Sequence, residues 1–189
     1  MPDPTSAALA RAHDDYRGRV SPAYDEALSE VSQRISESGT ASKADIGALV
    51  LWKRIQANTR WATALNTTPD SDVRDVTGRA FSLAKAADLS VSEAASAARI
   101  ALKELPGFGS GFSLASALLV AAAPERLAVY DRRAHAGLSR IGIEYSRNAG
   151  YGGYMRIIDE LRHEVSGHLS VDWTARDVDL ALYMIGGTT

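Results

Sequence analysis

Apolar residues return at helical spacing along almost the whole chain, and that periodicity leaves little room for any fold but a packing of helices. Tyr24, Leu28, Val31 and Ile35 follow one another at steps of four, three and four, so they share one stripe. Three helix starts are written as a hydroxyl followed three residues later by a carboxylate: Ser42 with Asp45, Ser90 with Glu93, and Thr174 with Asp177. In that arrangement each side chain satisfies a backbone N–H that the first turn leaves open, and the carboxylate meets the positive end of the helix dipole. No segment sustains the period-two alternation of a strand, so a sheet is not expected. Pro69, Pro106 and Pro124 and the glycine clusters at 107–111, 150–153 and 186–187 fall between helical runs. The spacing predicts helices over 5–17, 22–37, 43–65, 71–87, 91–104, 112–122, 132–140, 151–165 and 175–185. The expected fold class is all-α, a helical bundle in one piece or two lobes.

A length of 189 residues suits a single domain, with residues 1–40 as a helical extension. The net charge of −2 supplies no global basic field, which argues against a protein that coats nucleic acid non-specifically. Cysteine is absent, which excludes disulfides, cysteine-based zinc sites and iron–sulfur clusters. The opening Met-Pro-Asp-Pro has no basic region leading into an apolar stretch, and the longest small or apolar run, Leu114–Ala123, is too short for a membrane span. A soluble, cytoplasmic monomer is the expectation.

The most informative stretch runs from Leu105 through Pro106, Gly107, Phe108, Gly109, Ser110 and Gly111 into an alanine-rich helix. Closely spaced glycines let a backbone approach another surface, and the helix start after them presents open N–H groups, which suits a phosphate oxygen. A tight connector between two packed helices has the same composition. Gly107, Gly109 and Gly111 lack the spacing and the preceding strand of a dinucleotide fingerprint, and the Gly-Lys-Ser/Thr of a P-loop is missing. A second element, Val129-Tyr130-Asp131-Arg132-Arg133, opens another helix with an aspartate. Asp131 is a natural N-cap, and a capping carboxylate can also face a cleft.

Together, the leucine–proline–glycine–apolar–glycine hairpin, the alanine-rich helix and the valine–x–aspartate resemble the core of the helix–hairpin–helix DNA glycosylases, most like the 8-oxoguanine glycosylase-like branch. The match is firmest over 105–140. The resemblance implies that residues 107–111 grip the DNA backbone, partly through a bound monovalent cation. It implies that Asp131 stands at the mouth of a pocket for a flipped base. Bifunctional members of the family carry a lysine in the helix after the hairpin, and counting 18 residues back from Asp131 reaches Ser113. A serine hydroxyl forms no Schiff base, so base release without strand cleavage is expected. The turn is two residues longer than the family's, with six positions from Gly109 to Ala115.

Rupture of a base–sugar bond develops positive charge on the sugar, which a carboxylate at Asp131 would stabilise. Over 99–162 nine basic side chains face six acids, a modest local excess that includes Arg132 and Arg133 as phosphate-contact candidates. Trp52, Lys53, Tyr151 and Tyr154 are candidates for a base pocket or a wedge, although aromatics at helical spacing more often pack. His163-Glu164 and His168 are spaced one residue too far apart for a zincin motif, so no metal site is expected. The sequence therefore points to a base-excision repair hydrolase acting on double-stranded DNA with a damaged or modified base. A non-catalytic helix–hairpin–helix DNA-binding protein and an all-α interaction domain remain alternatives.

Overall fold

The computed structural model describes residues 4–57 and 60–187. Within them lie ten α-helices and no strand. In chain order these are α1 (Pro4–Arg19), α2 (Glu26–Ser38), α3 (Lys43–Trp52), α4 (Arg60–Thr67), α5 (Asp70–Lys85), α6 (Val91–Leu102), α7 (Ser113–Ala122), α8 (Arg132–Arg140), α9 (Gly150–Leu169) and α10 (Ala175–Gly187). The protein is all-α, and all three hydroxyl–carboxylate pairs form reciprocal caps. Ser42 and Asp45 open α3, Ser90 and Glu93 open α6, and Thr174 and Asp177 exchange bonds of 2.8 and 3.1 Å ahead of α10.

Several boundaries differ from expectation. The long helix expected over 43–65 is two helices, because the chain turns at Lys53 and Arg54. Lys53 N–H closes on Leu49 C=O at 2.9 Å, Arg54 takes a left-handed φ of +52°, and Ile55 N–H returns to Val50 C=O at 2.9 Å. That pattern ends a helix by satisfying its last carbonyls. The helix expected from residue 22 begins as a 3₁₀ turn over Pro22–Asp25, so Tyr24 leaves the apolar stripe and stands 36% exposed, while Leu28, Val31 and Ile35 are buried. The helix expected over 151–165 continues to Leu169 straight through Gly167. His163 and His168 both lie on it; His163 Nδ1 bonds Asp159 C=O at 2.8 Å and His168 Nδ1 meets Ser6 Oγ at 3.2 Å.

The core is organised around α7, in which every residue from Leu114 to Ala122 is buried. A helix apolar on all sides belongs at the centre of a fold. Its Ala115, Ser116, Ala117 and Ala121 are small enough for α2, α3, α5 and α6 to pack around it. On the far side α8 crosses α10 almost backbone to backbone. A Cβ added at Gly137 would sit 2.2 Å from Leu182 C=O, and one at Gly186 would sit still closer to Arg133 C=O. Neither neighbour is a flexible side chain, so any larger residue there must push the helices apart. Substitution Gly137→Ala is therefore expected to cost about 1–3 kcal/mol, read as a lowered urea midpoint with an unchanged slope.

Candidate active site

The candidate site begins with a segment that has no regular structure of its own. Residues 127–130 are buried, and five of their backbone groups bond side chains from three helices. Val129 N–H donates to Asp179 Oδ2 of α10 at 2.7 Å, and Tyr130 N–H donates to Ser116 Oγ of α7 at 3.0 Å. From α9, Tyr151 OH donates to Ala128 C=O at 2.7 Å and Tyr154 OH to Val129 C=O at 3.2 Å. Both tyrosines are buried, and burial raises their pKa well above the ordinary tyrosine value, which keeps them as neutral donors. They hold the segment in place, so the expectation that Tyr151 and Tyr154 stack on or wedge against a base is corrected: neither reaches the surface.

This segment delivers Asp131 to the start of α8. One carboxylate oxygen accepts Ala134 N–H at 2.8 Å as an N-cap; the other faces Lys53 Nζ at 3.2 Å. Asp131 thus has both of the roles its sequence allows: it caps a helix and it looks into a cleft. The side chains of Lys53 and Asp131 are 12% and 22% exposed. Trp52 and Lys53, at the end of α3, line the cleft, and so do Tyr24, Tyr183 and Val129. Lys53 Nζ lies 5.6 Å from the Trp52 ring centre, and the Arg54 guanidinium 6.0 Å from that of Tyr24. The space between the walls, about 20 Å³, holds about one water molecule.

A largely buried charge network, no part of which was expected from the sequence, lines the inner wall of the cleft through Tyr16, Arg176 and Asp179. Arg176 bridges Asp179 at 2.7 Å and Asp25 at 3.4 Å, and Asp25 also accepts Trp52 Nε1–H at 3.1 Å and Tyr16 OH at 3.2 Å. Burial pushes the Asp179 carboxyl up to about 6, against the opposing pull of Arg176 and of the Val129 N–H. Tyr16 is pushed up as well, by burial first and then by the charge of Asp25. The one sequence signal for the network was the i, i+3 pair Arg176 and Asp179 on α10; Asp25 and Tyr16 lie too far away in sequence for any local pattern to reveal them.

The hairpin forms a second, separate cavity. Gly107, Gly109, Ser110, Gly111 and Ser113 line it with Trp61 and Ile55, as an open hollow of about 660 Å³. Gly107 has φ +92° and lies directly under Trp61, where a Cβ would come within 2.4 Å of the ring. Gly111, at φ +70°, turns its C=O to Arg99 Nη2 at 2.8 Å. Arg99 is 4% exposed, and its Nε and Nη1 have no hydrogen-bond partner among the described residues. The helix after the hairpin starts at Ser113, and Phe112 at its N-cap supplies no capping bond. Phe108 is 1% exposed, so its side chain belongs to the core and the expectation of a DNA-facing Phe108 is corrected. Ser113 lines the hairpin cavity, whereas Asp131 lines the other cleft, so the structure does not bring these two expected catalytic residues together.

The basic excess over 99–162 is not a single face. Arg99 is buried, and Arg126 is drawn in to the carbonyls of Ala84, Ala86 and Leu89 at the end of α5. Arg156 pairs with Glu160, and Arg162 with Asp159. Arg133 donates to Tyr183 OH at 2.8 Å and stacks on its ring, at the wall of the Asp131 cleft; Arg132 beside it is exposed. Among the described residues no group of three or more His, Asp or Glu side chains is placed to hold a metal ion, and no helix is long and apolar enough to cross a membrane. No known protein family, curated protein or solved structure matches the chain at a significant level.

Removing Arg176 leaves the buried Asp179 carboxylate without its cation, while Asp25, 29% exposed, keeps access to water. Arg176→Met is expected to destabilise the protein by about 3–5 kcal/mol in urea titration at pH 7.

Proposed function

We propose that this chain is a DNA base-excision enzyme that hydrolyses the N-glycosidic bond of a damaged or modified base, with Asp131 as the carboxylate at the reacting sugar. The observation that carries the reading is the placement of Asp131: half-buried, fixed on a helix start by a segment bonded from three sides, and open to a cleft walled by Tyr24, Trp52 and Tyr183. Aromatic walls suit a planar base, since they offer faces for stacking. As the bond to the base breaks, positive charge grows on the sugar ring; a fixed carboxylate there stabilises it and can orient an attacking water. The resemblance over 105–140 supports the same reading, and so does the hairpin cavity. There α7 opens without a side-chain cap beside Gly109, Gly111 and Ser113, an arrangement suited to a DNA phosphate. Ser113 belongs to that phosphate site in this reading, and exposed Arg132 extends the DNA-facing surface. An oxidised purine such as 8-oxoguanine is the first substrate to try, in double-stranded DNA, with the protein acting as a monomer.

One observation favours a second reading, that of a DNA-binding protein without turnover. The cleft holds about one water, so a base enters only if the walls part. Tyr24, on a short 3₁₀ turn and 36% exposed, is the wall least tied to the core. The test is single-turnover release of free base from duplexes carrying a panel of oxidised, alkylated, deaminated and mismatched bases. Wild-type protein is expected to release one class of base, and Asp131→Asn to lose that release while still binding the duplex. Equal release by both proteins would contradict the role of Asp131; binding with no release from any duplex would establish the second reading.

A further inference from the structure

We infer that the hairpin hollow is a second nucleotide site, which takes one unpaired nucleoside monophosphate unit with its phosphate against the hairpin and its base on Trp61. The inference extends the phosphate contact of the proposed reading and needs no catalysis at Asp131, whose cleft is separate. A phosphate alone would use only the glycines and serines of the hollow. The rest of its border is apolar: Ile55, Leu114 and the half-buried indole of Trp61. Its open space of about 660 Å³ is in the range of small-molecule pockets, whereas the Asp131 cleft has room for about one water.

A buried charge defines the phosphate end. Arg99 is 4% exposed, and its Nε and Nη1 have no partner among the described residues. The remaining nitrogen, Nη2, donates to Gly111 C=O at 2.8 Å, which puts the guanidinium directly behind the hairpin. A buried cation without a counter-charge is costly, and an anion held at the hairpin supplies that charge across a short, water-poor distance. On the hollow's own side no side chain caps α7, and a Cβ added at Gly109 or Gly111 would meet nothing beyond its chain neighbours within 4 Å. Bare backbone N–H groups can therefore come against phosphate oxygens. Trp61 defines the base end. Its six-membered ring lies on Gly107, where a methyl group would come within 2.4 Å of Cε3, so Gly107 seats the indole beside the glycines that face the phosphate. An indole next to an anion site lets a base stack while its phosphate is bound, and stacking accepts any of the bases. The ligand class is therefore a nucleoside monophosphate, either free or at the unpaired end of a strand.

The test is an NMR titration of the full chain, read at backbone amides and indole N–H groups, with deoxyadenosine monophosphate, deoxyadenosine and inorganic phosphate. The monophosphate is expected to shift the Trp61 indole and the amides of Gly109, Gly111 and Ser113, and to leave the Trp173 indole in place. Its affinity is expected to exceed that of the nucleoside and that of phosphate by about tenfold or more each. Trp61→Leu is expected to lower it to the level of phosphate, and Arg99→Met to the level of the nucleoside; the spectrum of each variant away from the hollow reports its fold. A duplex with a 5′-phosphorylated adenine overhang and a matching blunt duplex separate the sources. The same shifts with the overhang assign the site to strand ends, and shifts with the free nucleotide alone assign it to free nucleotides. Shifts centred on Trp52 and Tyr130 instead, equal affinity for monophosphate and inorganic phosphate, or an affinity that survives in Trp61→Leu would overturn the nucleotide site and leave base excision at Asp131 standing. Absence of any shift at the hairpin would overturn the phosphate contact as well, and release of base by the wild-type protein would still decide the role of Asp131.

Discussion

Asp179 carries two loads at once. Its carboxylate accepts the Val129 N–H and binds the Arg176 guanidinium, and Arg176 in turn reaches Asp25, which holds Trp52 and Tyr16. Five separate parts of the chain meet in that chain of contacts: α10, α1, the turn before α2, the end of α3 and the segment leading to Asp131. A buried ion pair is weak as a source of stability, because desolvation offsets most of its attraction. Its effect is on geometry. Asp25 holds Trp52 at the end of α3 and Asp179 holds Val129 two residues before Asp131, so the Arg176 bridge ties two walls of the cleft together. Tyr130 N–H and the carbonyls of Ala128 and Val129 are bonded from α7 and α9, so three helices position the segment that carries Asp131.

The all-α fold was legible because its signals are local. Capping boxes at Ser42, Ser90 and Thr174 act within four residues, and the i, i+3/i+4 stripe of α2 needs no distant partner. The break at Lys53 was not legible, since the apolar pattern runs on through Trp61 and neither glycine nor proline marks the turn. The two halves make different tertiary contacts: Trp52 bonds Asp25, whereas Trp61 covers Gly107. Tyr151 and Tyr154 were ambiguous for a similar reason. Their spacing fitted a buried face or a stacking pair, and only the carbonyls of Ala128 and Val129, more than twenty residues earlier, decide for burial.

At the site, Asp131, Trp52 and Lys53 were readable as separate candidates, but their meeting was not. Lys53 and Asp131 are 78 residues apart, and nothing in either neighbourhood refers to the other. The hairpin was readable as a glycine turn, although its expected link to Asp131 through Ser113 is replaced by two distinct cavities. Ile55, just after α3, and Trp61, in the first turn of α4, line the hairpin cavity, while Lys53 at the end of α3 lines the cleft.

In the function proposed, Asp131 acts on positive charge at a sugar besides capping α8. The most direct measurement compares the affinity of the protein for two duplexes that differ at one position: a cationic pyrrolidine abasic analogue, which resembles the charged transition state, and the neutral tetrahydrofuran analogue. Transition-state mimics bind tighter by two orders of magnitude or more when an enzyme is complementary to that state. The account predicts at least about a 100-fold preference for the cationic duplex in wild-type protein and its collapse in Asp131→Asn. Equal affinity for the two duplexes, or a preference that survives in Asp131→Asn, would contradict it.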